Sequence, residues 1–114
     1  MYVRQDVWAN GGSFDDPILY WYAKGVGELK KRPIADKTSW LFLAAIHGFS
    51  VDLWRDAEYS VAPLPNQAVQ DKFWKQCQHG TWYFLPWHRG YILSLEANVR
   101  DAIAKIGGPA NSWA

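Results

Sequence analysis

The stretch Cys77-Gln78-His79-Gly80-Thr81-Trp82-Tyr83-Phe84-Leu85-Pro86-Trp87-His88-Arg89-Gly90-Tyr91 constrains this chain more than any other. It holds two of the three histidines and the only cysteine of the 114 residues. Pro86 reads as the opening of a helix, where its missing N–H costs no hydrogen bond, and this puts His88 in the first turn. The third histidine, His47, lies far upstream in an apolar helical pattern, so only folding can bring the three together. That is how a metal site usually looks in sequence. Imidazole suits copper, zinc, iron and nickel alike, so three histidines by themselves do not choose the metal. There is no His-Glu-x-x-His pair and no paired-cysteine motif of the kind that structural zinc sites use.

The helical signals frame this stretch. Asp15-Asp16-Pro17 starts a helix running from Pro17 to about Lys31, with acidic residues at the positive end of its dipole and Pro33 as its stop. Gly25 and Gly27 inside it each cost about 1 kcal/mol relative to Ala, a cost that close helix packing would explain. Thr38 or Ser39 caps a second helix, Trp40 to His47, with Gly48 as its end. It is apolar nearly all round and therefore reads as buried, with His47 one turn beyond Leu43 on the face of Trp40. From Phe49 to Asn66 the order weakens, and Ala62-Pro63-Leu64-Pro65-Asn66 reads as a loop.

Asn66 caps a third helix from Gln67 to about Gln76, with Val69, Phe73 and Cys77 at helical spacing as its inward stripe. The fourth helix is expected from Pro86 to Ile106, ended by Gly107-Gly108-Pro109. On it Ile92, Leu95 and Val99 follow His88 along one buried face. Glu96 and Arg100 form a well-oriented i, i+4 pair, and Arg89 is expected to pair with a nearby carboxylate.

Twelve basic and eleven acidic residues leave a net charge of +1, with no basic stripe of the kind nucleic-acid binding needs. No run approaches the roughly 18 to 20 apolar residues required to cross a bilayer. No charged start followed by an apolar segment marks a secretory signal, so a cytoplasmic location is the default expectation. Eight Trp, six Tyr and five Phe supply either a heavy core or an aromatic shell around a pocket, and both uses are open to different members of the set.

The run His79-Gly-x-x-x-Phe84-Leu85-Pro86-Trp87-His88-Arg89-x-Tyr91, preceded by Ala45-Ile46-His47-Gly48, resembles the copper A half of the tyrosinase, catechol oxidase and haemocyanin family of type 3 copper proteins. The resemblance covers about Trp40 to Ala104 well. It implies that His47, His79 and His88 ligate one copper, and that Phe84, Trp87 and Tyr91 form the hydrophobic shell around the ligands. In fungal tyrosinases and molluscan haemocyanins a cysteine two residues before the second ligand is bonded through sulfur to the histidine ring. The same spacing implies a thioether between Cys77 and His79, whereas the residue alone would read as a buried inert thiol.

The resemblance also implies a fold and a function. The expected fold is mainly α, half of a type 3 copper four-helix bundle with irregular loops, over residues 1–114. The expected activity is copper-dependent oxidation of phenols and o-diphenols to o-quinones by O2. The family's second trio of histidines is absent from these residues, so a copper B half on another chain or fragment is the expected partner, and the tail 107–114 resembles the lead-in to it. An apolar bundle face left bare by a lone half is a liability that such a partner removes. Two other readings stay open: haemocyanin-type O2 binding and a non-catalytic single-copper subunit.

Overall fold

The computed structural model describes residues 3–9 and 11–109. Among these, five helices run in order: α1 Pro17–Lys30, α2 Trp40–His47, α3 Val51–Asp56, α4 Gln67–Phe73 and α5 Phe84–Lys105. No strand occurs among the described residues, so the chain is mainly α. The last part of the tail expected as a lead-in, 110–114, lies outside the described residues.

The helix starts are set by their caps. The Asp16 carboxylate accepts the Ile18 N–H at 2.8 Å, with Pro17 opening α1. Ser39 Oγ accepts the Phe42 N–H at 2.9 Å, and Asn66 Oδ1 accepts the Val69 N–H at 3.0 Å. Each cap satisfies a donor that the first helical turn leaves without a partner. α5 ends in a Schellman turn: Gly108 N–H reaches Ile103 O at 2.9 Å and Gly107 N–H reaches Ala104 O at 3.1 Å. Gly107 has a φ of +80°, a conformation that glycine adopts without steric cost.

α1 packs along the second half of α5 and also touches α2. The close approach is made at Gly25, where an added Cβ would stand 2.8 Å from Ile103 Cγ1 and 3.0 Å from Val99 Cγ1. Leu29, Leu43, Val99, Ala102 and Ile103 form the core at this junction. A second cluster, Ile34, Phe42, Ala45 and Trp74, packs on the other side of α2. α2 is therefore apolar nearly all round because it serves two clusters, not one.

Several boundaries differ from expectation. Val51–Asp56 is a helix where order was expected to weaken; Ser50 Oγ accepts the Leu53 N–H, but six residues are too few to display a period. α4 stops at Phe73, so Cys77 lies beyond its end and not on its inward stripe. α5 begins at Phe84, two residues before Pro86, which still falls among the first N–H groups that no helix bond uses. Glu96 is almost fully buried, and its carboxylate is held by Arg4 of the N-terminal segment, a partner with no signal in the sequence. Arg89, expected to pair with a carboxylate, is exposed and makes no ion pair among the described residues.

Burial along α5 is graded. Val99 is fully buried, Leu95 is half-buried and Ile92 is exposed, since α1 covers only the C-terminal half of the helix. The N-terminal half, carrying His88, is bare on the side where Leu85 (74% exposed) and Leu93 point to solvent. Among the described residues no helix is long and apolar enough to cross a membrane.

Candidate metal centre

Three separate pieces of chain deliver the histidines to one place. His47 is the last residue of α2, brought there by the apolar faces that fix that helix between two clusters. It is exposed, contrary to the buried position expected for it, because the helix ends as it leaves the core. His79 sits in the loop between α4 and α5, just before Gly80 with its φ of +73°. His88 is the fifth residue of α5, in its second turn. The loop thus returns the chain to the end of α2 before α5 departs.

The three imidazole rings form an equilateral triangle. Their centroids lie 5.3 Å apart in each of the three pairs, His47–His79, His47–His88 and His79–His88. The centre of such a triangle is about 3.1 Å from each ring centre. A metal–nitrogen bond of about 2.0–2.1 Å plus about 1.1 Å from nitrogen to ring centre gives the same figure. Nε2 of His47 and Nε2 of His88 approach to 3.3 Å, the separation expected for two ligands about 2.0–2.1 Å from one ion at a near-tetrahedral angle. The ligand atoms of His47, Cys77, His79 and His88 all lie within 4.8 Å of one another. The residues present therefore fit a single metal ion.

The surroundings set which nitrogen faces the centre. Nδ1 of His88 is 2.8 Å from the backbone carbonyl oxygen of Phe84, which can only accept, so Nδ1 carries the proton and Nε2 presents a lone pair. Two imidazole nitrogens at 3.3 Å need a proton or a cation between them, since two facing lone pairs repel.

Aromatic side chains buttress the triad. The Phe84 ring lies 4.1 Å from that of His88 and 5.7 Å from that of His79. Trp87 meets His88 edge-on at 4.9 Å and stacks on Tyr91 at 5.6 Å. Tyr91 in turn stacks on His47 at 6.1 Å, and its hydroxyl donates to the Leu43 carbonyl at 2.9 Å. Burial first, then the neighbouring Cys77, raises the Tyr91 phenol above its ordinary pKa, which keeps that proton in place to donate. One side chain of α5 thus braces both the last turn of α2 and the ring of its terminal histidine.

Cys77 stands inside the same group. Its Sγ lies 3.8 Å from both ring nitrogens of His79, on the plane that runs midway between them through Cε1. It is also 3.7 Å from Nε2 of His88. Burial pushes the thiol above its ordinary pKa. The Phe84 carbonyl, the Leu43 carbonyl and the nearness of Cys77 to His88 had no signal in the sequence. The first two are backbone groups, and the third depends on where the loop folds back.

Residues 37–113, which include all three histidines, match the family described as the common central domain of tyrosinase. The chain is 44% identical over 116 residues to a curated tyrosinase of Hahella sp. (strain CCB-MM4), an alignment covering 97% of this chain and 24% of that protein. It is 34% identical over 100 residues to a second tyrosinase of the same organism, covering 88% of this chain and 16% of the relative. The chain spans about a quarter or less of the length of these curated relatives.

Proposed function

This chain belongs to the tyrosinase family, and we propose that its residues 1–114 are the copper A half of a tyrosinase-like catalytic domain that oxidises phenols or o-diphenols to o-quinones with O2. The observation that carries the reading is the triangle of imidazoles, sized for one ion. In this reading His47, His79 and His88 hold one copper. A second copper comes from a copper B half outside these residues, because the sequence has only three histidines. Bound copper would supply the redox chemistry, in which one O2 takes four electrons from two o-diphenols and gives two o-quinones and two waters.

The chain's own residues hold and shelter that centre. The Phe84 carbonyl fixes the His88 tautomer, so that its Nε2 is always ready to ligate. Tyr91 holds the His47 ring by stacking and the backbone of α2 by its hydroxyl. Phe84 and Trp87 pack apolar surface against the ligand rings, and a partner covering this face would exclude water from them and lower the local dielectric. The bisecting position of Cys77 Sγ supports a thioether to Cε1 of His79. There an S–C bond replaces one S–H and one ring C–H, and two protons and two electrons pass to O2.

The bare face supports a partner at the site. Trp82 is 86% exposed, and Tyr83, Phe84, Leu85, Ile92 and Leu93 extend the apolar surface beside the histidines. A contiguous apolar surface of this kind marks an interaction site. The test is O2 uptake with catechol and with a monophenol, by these 114 residues loaded with copper and by the assembly that also carries the copper B half. The assembly turns over an o-diphenol, the 114 residues alone do not, and His47→Ala or His88→Ala abolishes turnover in the assembly. Equal turnover by the 114 residues alone, or an assembly indifferent to either substitution, contradicts the reading.

A further inference from the structure

We propose that Cys77, in its free thiol form, is a fourth metal ligand, so that the unlinked chain is a closed three-histidine, one-cysteine site for a tetrahedral d10 ion, zinc(II) or copper(I). The inference rests on the ligand assignment above and not on oxidase activity. Its ground is distance. A sulfur at about 2.3 Å and a nitrogen at about 2.0–2.1 Å from one tetrahedral ion are about 3.5 Å apart. Cys77 Sγ is 3.7 Å from His88 Nε2 and 3.8 Å from either nitrogen of His79, while the His47 and His88 nitrogens are 3.3 Å apart. Small side-chain rotations bring all four atoms to bonding range, because they already lie within 4.8 Å of one another.

The consequence is a site with two states of different openness. Four protein ligands close a metal ion off, as structural sites do, whereas three ligands leave a position free for a reactant. Thiolate is also a softer donor than imidazole and favours zinc(II) and copper(I) over harder ions. Forming the Cys77–His79 link, with O2 as the two-electron acceptor, removes the thiolate from the ligand set. The ion is then held by three imidazoles with its fourth position open. Cys77 thus first holds the ion and later opens the site.

The test uses the full 114-residue chain, reduced and shown by intact mass to be unlinked, with cobalt(II) as a spectroscopic stand-in for zinc(II). Wild type is expected to take up cobalt(II) with tetrahedral ligand-field bands and an additional near-ultraviolet sulfur-to-metal charge-transfer band. Cys77→Ser keeps cobalt(II) bound through the histidines but loses the charge-transfer band, and binds zinc(II) about 10–100-fold more weakly. With zinc(II) at a hundred times its Kd, alkylation of Cys77 by iodoacetamide slows about 100-fold. Cobalt(II) uptake without the charge-transfer band, or alkylation at the same rate with and without zinc(II), overturns the proposal and leaves the three-histidine site standing. No metal uptake by wild type overturns both.

Discussion

His88 owes its orientation to a backbone carbonyl, and His47 owes its own to a neighbouring ring. At this scale the central residue is Tyr91, which serves two partners with two different atoms. Tyr91→Phe keeps the stacked ring and removes only the hydrogen bond to Leu43, a loss of about 1 kcal/mol in unfolding free energy by chemical denaturation. Tyr91→Ala removes both and costs about 2–3 kcal/mol, with copper affinity reduced as well. Equal effects of the two substitutions on copper affinity would show that stacking does not position His47. The histidines and their spacing were legible in the sequence, as was the aromatic character around them. Their tautomers were not, because the carbonyl that sets His88 is placed by a helix that starts at Phe84 and not at Pro86.

At the scale of elements, the two glycines of α1 look alike in sequence and differ in space. Gly25 faces α5, where a Cβ would press on Ile103, Val99 Cγ1 and the Val99 carbonyl; nothing lies within 4 Å of one at Gly27. Gly25→Ala is therefore expected to destabilise the chain by about 1–3 kcal/mol in spite of its better helix propensity. Gly27→Ala stabilises it by about 0.5–1 kcal/mol. A pair of thermal melts reads both signs.

The turn before α2 holds a carboxylate that contributes to acid sensitivity. Burial raises the Asp36 pKa, but the N–H and hydroxyl of Thr38, together with Arg32 and Lys105, outweigh it, and the net shift is downward. A carboxylate depressed in the folded state contributes stability that is present above its unfolded value, near pH 4, and is lost as pH falls through the folded value. Denaturation midpoints measured from pH 6 to pH 2 are expected to fall more steeply for wild type than for Asp36→Asn. Parallel curves would contradict the assignment. Caps such as Asp16, Ser39 and Asn66 could be read from local chemistry alone. The short α3 and the early end of α4 could not, since tertiary contacts at Trp54, Phe49 and Trp74 decide them.

For the whole molecule, the main feature is the contrast between the two ends of α5. One end is sealed against α1, and the other carries the histidines on an apolar surface open to solvent. The hydrophobic pattern predicted one continuous buried stripe from His88 through Ile92 and Leu95 to Val99, which would hold only if something covered Ile92. The isolated chain is expected to bind a hydrophobic dye or self-associate, and Leu85→Lys with Leu93→Lys to suppress this while changing stability by no more than about 0.5 kcal/mol. In the assembly with a copper B half the same pair of substitutions weakens association. Unchanged association would place the partner on another face.

In the proposed site three imidazoles, from α2, the loop and α5, hold one copper. The most direct test is the copper content of the 114-residue chain after anaerobic loading and dialysis, compared with that of His47→Ala, His79→Ala and His88→Ala. One copper per wild-type chain is expected, with a loss of at least about 10–100-fold in affinity for each variant. Copper retained equally by all three variants would contradict the claim.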